Sequence, residues 1–323
     1  MGKLLTLSIA AYNAEKYIRN ALNSLVDESI LDALEVFVID DGGIDSTLDI
    51  AREYERNYPH TFHAVHKENG GFGSTVNYSI ANATGKYFKL LDADDWYETE
   101  GVVSLVQFLG ETDDDLIVIP YYRVRNDKRT LCCGQEKNQK ECSVLSLEKQ
   151  KDWIGNPSVC FKTKVLKNSG MTLPEHTAYT DTIYCIEAMG FIKSVAYFSK
   201  PVYCYRVGND EQTVSKKNMV RNLDKLERIA IRLVEFSKKN QNNANYSYIC
   251  KYAAMNANIV VRTILYKDDE NGELKAFDKK IQAINKDVYR RMSSVGKIGY
   301  VLKLVRFAHY KPSKFVNGMV KNM

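Results

Sequence analysis

The sequence predicts an α/β protein, with an open, mostly parallel sheet and flanking helices, followed by a helical C-terminal region. Three observations support this fold class. Short apolar runs alternate with segments of helical spacing over the first 125 residues, the rhythm of strands joined by crossover helices. The runs are continuously apolar, as strands covered on both faces require. From about Lys216 onward no convincing strand occurs, and apolar residues recur at three- and four-residue intervals.

Each element follows from local pattern. Leu4 to Ile9 is a first buried strand, and Tyr17, Ile18, Ala21, Leu22 and Leu25 mark one face of a helix. Val36 to Ile39 is a second strand. Asp45-Ser46-Thr47 offers a helix N-cap ahead of Leu48, Ile50, Ala51 and Tyr54. Phe62 to Val65 is a third strand, Asn69 to Gly73 a loop, and Val76 to Ala83 a helix. Lys86 to Leu91 is a fourth strand, followed by a helix at Val102 to Leu109 and a strand at Leu116 to Pro120. Ser143 to Trp153 and Asp181 to Met189 have helical spacing, whereas Ser194 to Phe198 and Val202 to Tyr205 have strand character.

Composition sets the outer limits. Of 323 residues, 45% are apolar and 26% charged, which excludes wholesale disorder. At roughly 150 residues per domain, two domains are expected, divided here as 1–215 and 216–323. The seven cysteines show no C-x-x-C spacing, so free thiols are expected rather than a disulfide framework or zinc knuckle. No signal peptide or membrane span is legible, so a cytoplasmic location is expected. The net charge of +5 hides an asymmetry: residues 216–323 hold 23 basic and 9 acidic residues, and after Asp287 no carboxylate follows. An acidic catalytic half and a basic half facing something anionic are the natural expectation.

In an open parallel sheet, ligands bind beyond the carboxyl ends of the strands. Three polar clusters occupy that position: Ala10 to Asn13, Asp40 to Gly43, and Asp92-Ala93-Asp94-Asp95. Like charges converging there repel, and a cation or hydrogen-bond donors must offset them. Asp92 and Asp94, two residues apart after a buried strand, are hard oxygen ligands suited to Mg²⁺ or Mn²⁺. No GxGxxG follows the first strand, which argues against a dinucleotide. Gly70 to Thr75 is glycine-rich but lacks the GxxxxGK[ST] pattern.

These motifs together resemble the inverting family 2 glycosyltransferases of bacterial cell-surface polysaccharide synthesis, which have a GT-A fold. Ala11-Tyr12-Asn13 with Glu15 to Ile18 resembles the family's first-strand motif. Ile39 to Thr47 resembles its Asp-Asp-Gly-Ser-x-Asp motif, with Gly43 where serine is usual. Asn69 to Asn77 resembles a segment that normally ends in Ala-Arg-Asn, with Val76 in place of the arginine. Leu91 to Asp95 is the D-x-D motif. The match is strong from about residue 4 to 110, weak to about 215, and absent beyond.

The resemblance implies a nucleotide-sugar donor, most often UDP-linked, a Mn²⁺ or Mg²⁺ cofactor, and a glycan or lipid-linked acceptor. Tyr12, with Ala11 beside it, would lie against the base, and Asp41 would bond the uracil edge. Asn77 would join the donor site, Asp92 and Ala93 would contact ribose and diphosphate, and Asp94 with Asp92 would hold the metal. The general base would be Asp181, with Glu175 and His176 as alternatives; Thr180 stands where a glutamate is usual. Arg206 would neutralise the diphosphate, and Gly208 to Ser215 would close over the donor.

At the C-terminus, Val295, Ile298, Val301, Leu302, Val305 and Phe307 alternate with Lys297, Lys303 and Arg306 in a basic amphipathic pattern. Peripheral contact with an anionic membrane surface or a homo-oligomer partner is expected there. Two other enzyme classes compete. Phosphoryl transfer through Asp92-x-Asp94 would want Thr or Val where Trp96 stands, and a nucleotidyltransferase would want a glycine-rich basic signature within Ala10 to Lys16. A nucleic-acid-binding role for the basic half has no recognised motif behind it, and no nucleic-acid partner is expected.

Overall fold

The apolar runs become strands because helices cover both of their faces. The computed structural model describes residues 2–149, 154–208, 215–267 and 272–310. The chain divides into two compact units, Met1–Gly208 and Asn209–Met323.

The first unit begins with β1 (Leu5–Ala11), β2 (Leu34–Asp40), β3 (Phe62–His66) and β4 (Tyr87–Asp92), joined through α1 (Ile18–Asn23), α2 (Thr47–Asn57) and α3 (Phe72–Asn82). β1 lies between β2 and β4 and runs parallel to both, and β3 adds beyond β2. Leu5, Leu7, Ile9, Val36, Val38 and Leu91 are buried in one core. Thr6 and Ser8 are buried as well, so their hydroxyls need partners. Thr6 donates to Glu35 at 2.6 Å and Ser8 bonds Ser79 of α3 at 2.7 Å.

Beyond β4 come β5 (Trp96–Tyr97), α4 (Thr99–Gly110), β6 (Leu116–Val118), β7 (Tyr121–Arg125), β8 (Lys128–Cys132), β9 (Gln139–Ser143) and β10 (Val159–Lys162). These are followed by α5 (Thr163–Ser169), α6 (Asp181–Ala188), β11 (Ser194–Tyr197) and β12 (Tyr203–Arg206). Among the described residues the main sheet has the order β3-β2-β1-β4-β10-β6-β11-β9, and a second sheet the order β5-β12-β7-β8. β10 runs antiparallel to β4 and β6, so the sheet is mixed on this side. All seven cysteines are free.

Two boundaries differ from the pattern-based expectation. The helix assigned from Val76 already starts at Phe72, because Gly71 takes a left-handed φ of 81° and turns the chain directly into it. Val144–Lys149 is a 3-10 helix, and the rest of the segment expected to reach Trp153 lies outside the described residues.

The second unit contains α7 (Lys216–Arg221), α8 (Leu223–Lys239), α9 (Tyr246–Tyr266), α10 (Glu273–Ile284), α11 (Lys286–Met292) and α12 (Gly296–Phe307). α9 is buried on most of its circumference and packs against α8 and α11. The apolar stripe of α12 does not face outward as an amphipathic membrane helix would require. Val301, Leu302 and Val305 are buried within the unit. Arg306 also turns inward: its Nε and Nη2 donate to the buried Asp278 at 2.8 and 2.6 Å, and its guanidinium lies 3.7 Å from the Tyr289 ring centroid.

Breaking one side of a buried ion pair strands the other charge. Asp278→Ala should therefore destabilise the second unit by about 3–5 kcal/mol, measured by urea unfolding. Asp278→Leu combined with Arg306→Met should recover most of that loss. A single variant as stable as the wild type would show that the pair does not hold α12.

Candidate active site

Three strand ends meet at one edge of the sheet because β1 pairs with both neighbours in register. Ala11 lies opposite Asp40 on β2, and Ala10 opposite Asp92 on β4. At about 4.8 Å per strand, the two acidic ends are about 10 Å apart with the end of β1 between them.

On the β1–β2 side, two loops are laced together. Asn13, at a left-handed φ of 49°, accepts from the Ile44 amide at 2.9 Å. The Ala14 amide donates to Thr47 at 2.8 Å, the Glu15 amide to Asp45 at 3.0 Å, and the Ser46 amide to Glu15 at 3.1 Å. Asp45 also accepts from the Thr47 amide at 3.0 Å, which anchors the start of α2. Gly43 fits this setting: a Cβ there would lie 2.6 Å from the Asp40 carboxylate. Tyr12 projects from this platform, 57% exposed, while Ala11 is buried in the core beneath.

Asp41 is buried, and its environment differs from that of a free base-edge acceptor. Its carboxylate accepts from the Gly70 amide at 3.0 Å, the Gly71 amide at 2.7 Å and Lys67 Nζ at 2.9 Å. Ser74 Oγ stands 3.4 Å away. Burial pushes its pKa up, but the Gly70 amide, Lys67 and the Gly71 amide outweigh this and hold it below the usual carboxylate range. The carboxylate expected at the uracil edge is therefore engaged in holding the glycine-rich loop. Asn77 likewise does not face this edge: its amide exchanges two hydrogen bonds with the Leu173 backbone. Val76 is buried, so that position offers no cation.

On the β4 side the carboxylates crowd. Asp95 is buried and hydrogen-bonded: it accepts from the Tyr203 hydroxyl at 2.6 Å and from the Arg206 amide at 2.7 Å, while burial, Asp92 and Asp94 push its pKa up. The same Tyr203 oxygen accepts from the Asp92 amide at 3.2 Å, so β12 braces the whole turn. Arg206 Nε donates to the Asp94 carbonyl at 2.9 Å, with its guanidinium 4.9 Å from the Trp96 ring and 5.2 Å from that of Tyr17. Asp181 opens α6 in its first turn. Burial, then Asp94 and Asp181, raise the pKa of Asp92. Burial also raises that of Asp181, against the pull of the Thr182 and Asp181 amides. Tyr205 marks the centre of the group: burial and then Asp95, Asp92, Asp181 and Asp94 push its hydroxyl up to about 12.

The structure thus gathers Asp92, Asp94, Asp181 and Arg206, with Ala93 buried within the turn between the two carboxylates. Glu175 and His176 are exposed on the segment leading to α6. The closing segment expected from Gly208 to Ser215 lies, at 209–214, outside the described residues. The donor set fits a hard divalent cation, because the mutual repulsion at Asp92 is what a cation would relieve. Among the described residues no group of three or more His, Cys, Asp or Glu could hold a metal alone. One or two carboxylates completed by substrate phosphates is the usual Mg²⁺ arrangement.

Several contributors escape sequence reasoning. Lys89 is buried in β4, donating to the carbonyls of Pro157 at 2.7 Å and Val159 at 3.1 Å, and burial pushes it down to about 8. A lysine inside an apolar strand run was the available signal. Lys67, Tyr203 and the Tyr17–Trp96 pair around Arg206 carried none.

Comparison with known proteins agrees with this geometry. Residues 6–142 match the family model of Glycosyl transferase family 2. The putative glycosyltransferase EpsH of Bacillus subtilis is 27% identical over 212 residues, covering 62% of this chain and 60% of that protein. The poly(ribitol-phosphate) beta-N-acetylglucosaminyltransferase TarS of Staphylococcus aureus is 24% identical over 209 residues, covering 64% of this chain and 36% of that protein. The chain therefore spans less than two thirds of either relative's length. The crystal structure of S. aureus TarS 1-349 in complex with UDP-GlcNAc has a TM-score of 0.72 at 20% identity, covering 99% of this chain and 92% of that one. That likeness is one of fold, and it identifies the fold as GT-A.

Because the Asp41 pKa is depressed on folding, its ionised form adds stability above the unfolded value near 4, and that stability is lost as pH falls through the folded pKa. Asp41→Asn should lower unfolding stability at pH 7 by about 1–3 kcal/mol, since amide and ammonium donors lose their acceptor. Urea midpoints of wild type and variant should converge below about pH 4. A pH-independent gap would contradict an ionised anchor.

Proposed function

We propose, from the match of residues 6–142 to glycosyl transferase family 2, that the chain is a glycosyltransferase of that family and moves a sugar from a nucleotide diphosphate, a UDP-sugar, to a glycan or lipid-linked acceptor. Cell-surface polysaccharide synthesis is the setting, and the anomeric centre inverts. The supporting observation is the convergence of Asp92, Asp94 and Asp181 at one edge of the sheet, next to an exposed aromatic platform at Tyr12. The fold shared with a UDP-GlcNAc complex favours uridine as the base. Relatives named as poly(ribitol-phosphate) glycosyltransferases favour a polymeric acceptor.

In this proposal Tyr12 and Ala11 seat the base, and Asp92 and Ala93 meet ribose and diphosphate. Asp94 and Asp92 hold Mn²⁺ or Mg²⁺, which when bound supplies Lewis-acid neutralisation of the leaving diphosphate. Arg206, seated on the Asp94 carbonyl, adds positive charge beside the diphosphate. Asp181 takes the proton of the acceptor hydroxyl while that oxygen bonds to the anomeric carbon. The bond to the diphosphate breaks on the opposite face, and the diphosphate leaves with the electron pair. Burial favours this role, because a carboxylate with a raised pKa is a stronger base. Asp41 acts indirectly, by fixing the Lys67 to Gly71 loop.

The outer face of α12 supports a contact with an anionic membrane surface on the cytoplasmic side. Tyr300 and Phe307 are 59% and 86% exposed, one helical heptad apart, and Lys297 and Lys303 are exposed on the same helix. Aromatic rings at the headgroup level with flanking lysines suit such a surface. The sequence beyond Tyr310 adds Lys311, Lys314 and Lys321 and no carboxylate.

Calorimetry with UDP and Mn²⁺ should show binding that weakens on chelation, and a short DNA duplex should show none. Asp181→Asn should lower sugar transfer by about a hundredfold or more while changing UDP affinity less than about twofold. Full turnover in that variant would remove Asp181 as the base. In co-sedimentation, the protein should pellet with phosphatidylserine-containing vesicles more than with neutral ones, and Tyr300→Ser with Phe307→Ser should remove the difference. Equal pelleting with both vesicles would reject the membrane contact.

A further inference from the structure

We infer that Asn77 is a positioning residue, which holds the segment from Leu173 to Thr180 so that Asp181 is delivered to the acceptor side of the donor. The inference rests on the proposal that Asp181 is the base. Asn77 Nδ2 donates to the Leu173 carbonyl at 2.8 Å, and Asn77 Oδ1 accepts from the Leu173 amide at 2.9 Å. The side-chain amide thus makes both halves of a peptide-like pair, 96 residues along the chain from its own position.

Two further contacts continue the line along α3. At Gly73 an added Cβ would lie 2.4 Å from the Pro174 carbonyl, so the segment presses directly on the helix. At the entrance to α3, the Gly70 carbonyl accepts from the His176 amide at 2.7 Å. Residues 77, 73 and 70 therefore meet 173, 174 and 176 in turn. The segment they hold is strained: His176 and Tyr179 have left-handed φ values of 49° and 67° without being glycine. Such backbone persists only where its surroundings over-determine it. Tyr179 stands two residues before Asp181. The body of α6 is fixed separately by buried Ile183, Tyr184, Cys185 and Ile186, so what the clamp sets is the approach to its first turn.

The clamp also connects the two sides of the site. Asp41 fixes Gly70 and Gly71 through their amides, and Gly70 in turn receives His176. The loop on the donor side is thereby the template for the segment carrying the base. Asn77 accordingly does not contact the donor, although the family motif suggests it.

The test compares Asn77→Ala with the size-matched Asn77→Asp, which keeps the acceptor for the Leu173 amide and sets a carboxylate against its carbonyl. In both, hydrogen exchange of the amides from Leu173 to Thr180 should speed up by about tenfold or more. The kcat for transfer should fall by about tenfold or more, while donor KM and UDP affinity with Mn²⁺ stay within about twofold. In an Asp181→Asn background, Asn77→Ala should lower the residual rate less than about twofold, because both changes act on the same step. Unchanged exchange, or a loss of UDP affinity matching the loss of rate, would overturn the proposal. Should Asp181→Asn keep full turnover, the base assignment fails and the catalytic role of the clamp with it. The exchange data would still decide whether Asn77 holds the segment.

Discussion

Four carboxylates brought to one sheet edge dominate the structure. Asp92, Asp94, Asp95 and Asp181 all act on the Tyr205 hydroxyl, and like charges in a partly desolvated setting repel one another. The fold disposes of part of this charge and leaves the rest. Asp95 is satisfied by the Tyr203 hydroxyl and the Arg206 amide. Arg206 is itself fixed by two aromatic faces and the Asp94 carbonyl, so its charge stays at the turn. Lys89, buried beneath, adds a second positive charge that partly offsets Asp92. After burial, neighbouring carboxylates still push Asp92 and Asp95 up; of this group the proposed chemistry uses Asp92, Asp94 and Asp181.

Asp41 and Asp92 show how the environment divides labour between identical side chains. Both stand at the carboxyl end of a parallel strand beside β1. Asp41 is met by amides and an ammonium, and its pKa falls despite burial. Asp92 is raised by burial first and by neighbouring carboxylates after it. A motif that names both residues alike therefore conceals opposite tasks: one carboxylate organises backbone, the other awaits positive charge. The same distinction applies to asparagine. Asn13 bonds the Ile44 amide across two loops, and Asn77 bonds the Leu173 backbone.

What was legible in the sequence was whatever depends on neighbours in the chain. The strands β1, β2 and β4 stood out because continuous apolar runs are diagnostic of burial on both faces, and the D-x-D turn stood out by its place after such a run. What was not legible depends on partners far along the chain. Nothing near Asp95 announces Tyr203, 108 residues away, and nothing near Asn77 announces Leu173. The antiparallel entry of β10 is a matter of topology, which periodicity does not encode. For α12, spacing correctly marked an apolar stripe, but spacing does not say what covers it: the stripe faces its own unit, and Tyr300 and Phe307 are what remain outside. The glycine pair before α3 hid the true start of that helix, since glycine lowers helical propensity while permitting the turn that opens it.

The charge of the second unit bears on association rather than on fold. Residues 216–323 hold 23 basic residues against 9 acidic ones, a surplus that repels itself and opposes compaction. Compaction is secured by α9, buried on most of its circumference, and by the enclosed pair of Asp278 and Arg306, which removes one cation from the surface count. Among the described residues, exposed cations such as Lys297 and Lys303 carry part of the surplus on the outside, where it raises the encounter rate with anions. Such a surface suits an anionic partner, which many weak, screened contacts can hold while leaving it free to move.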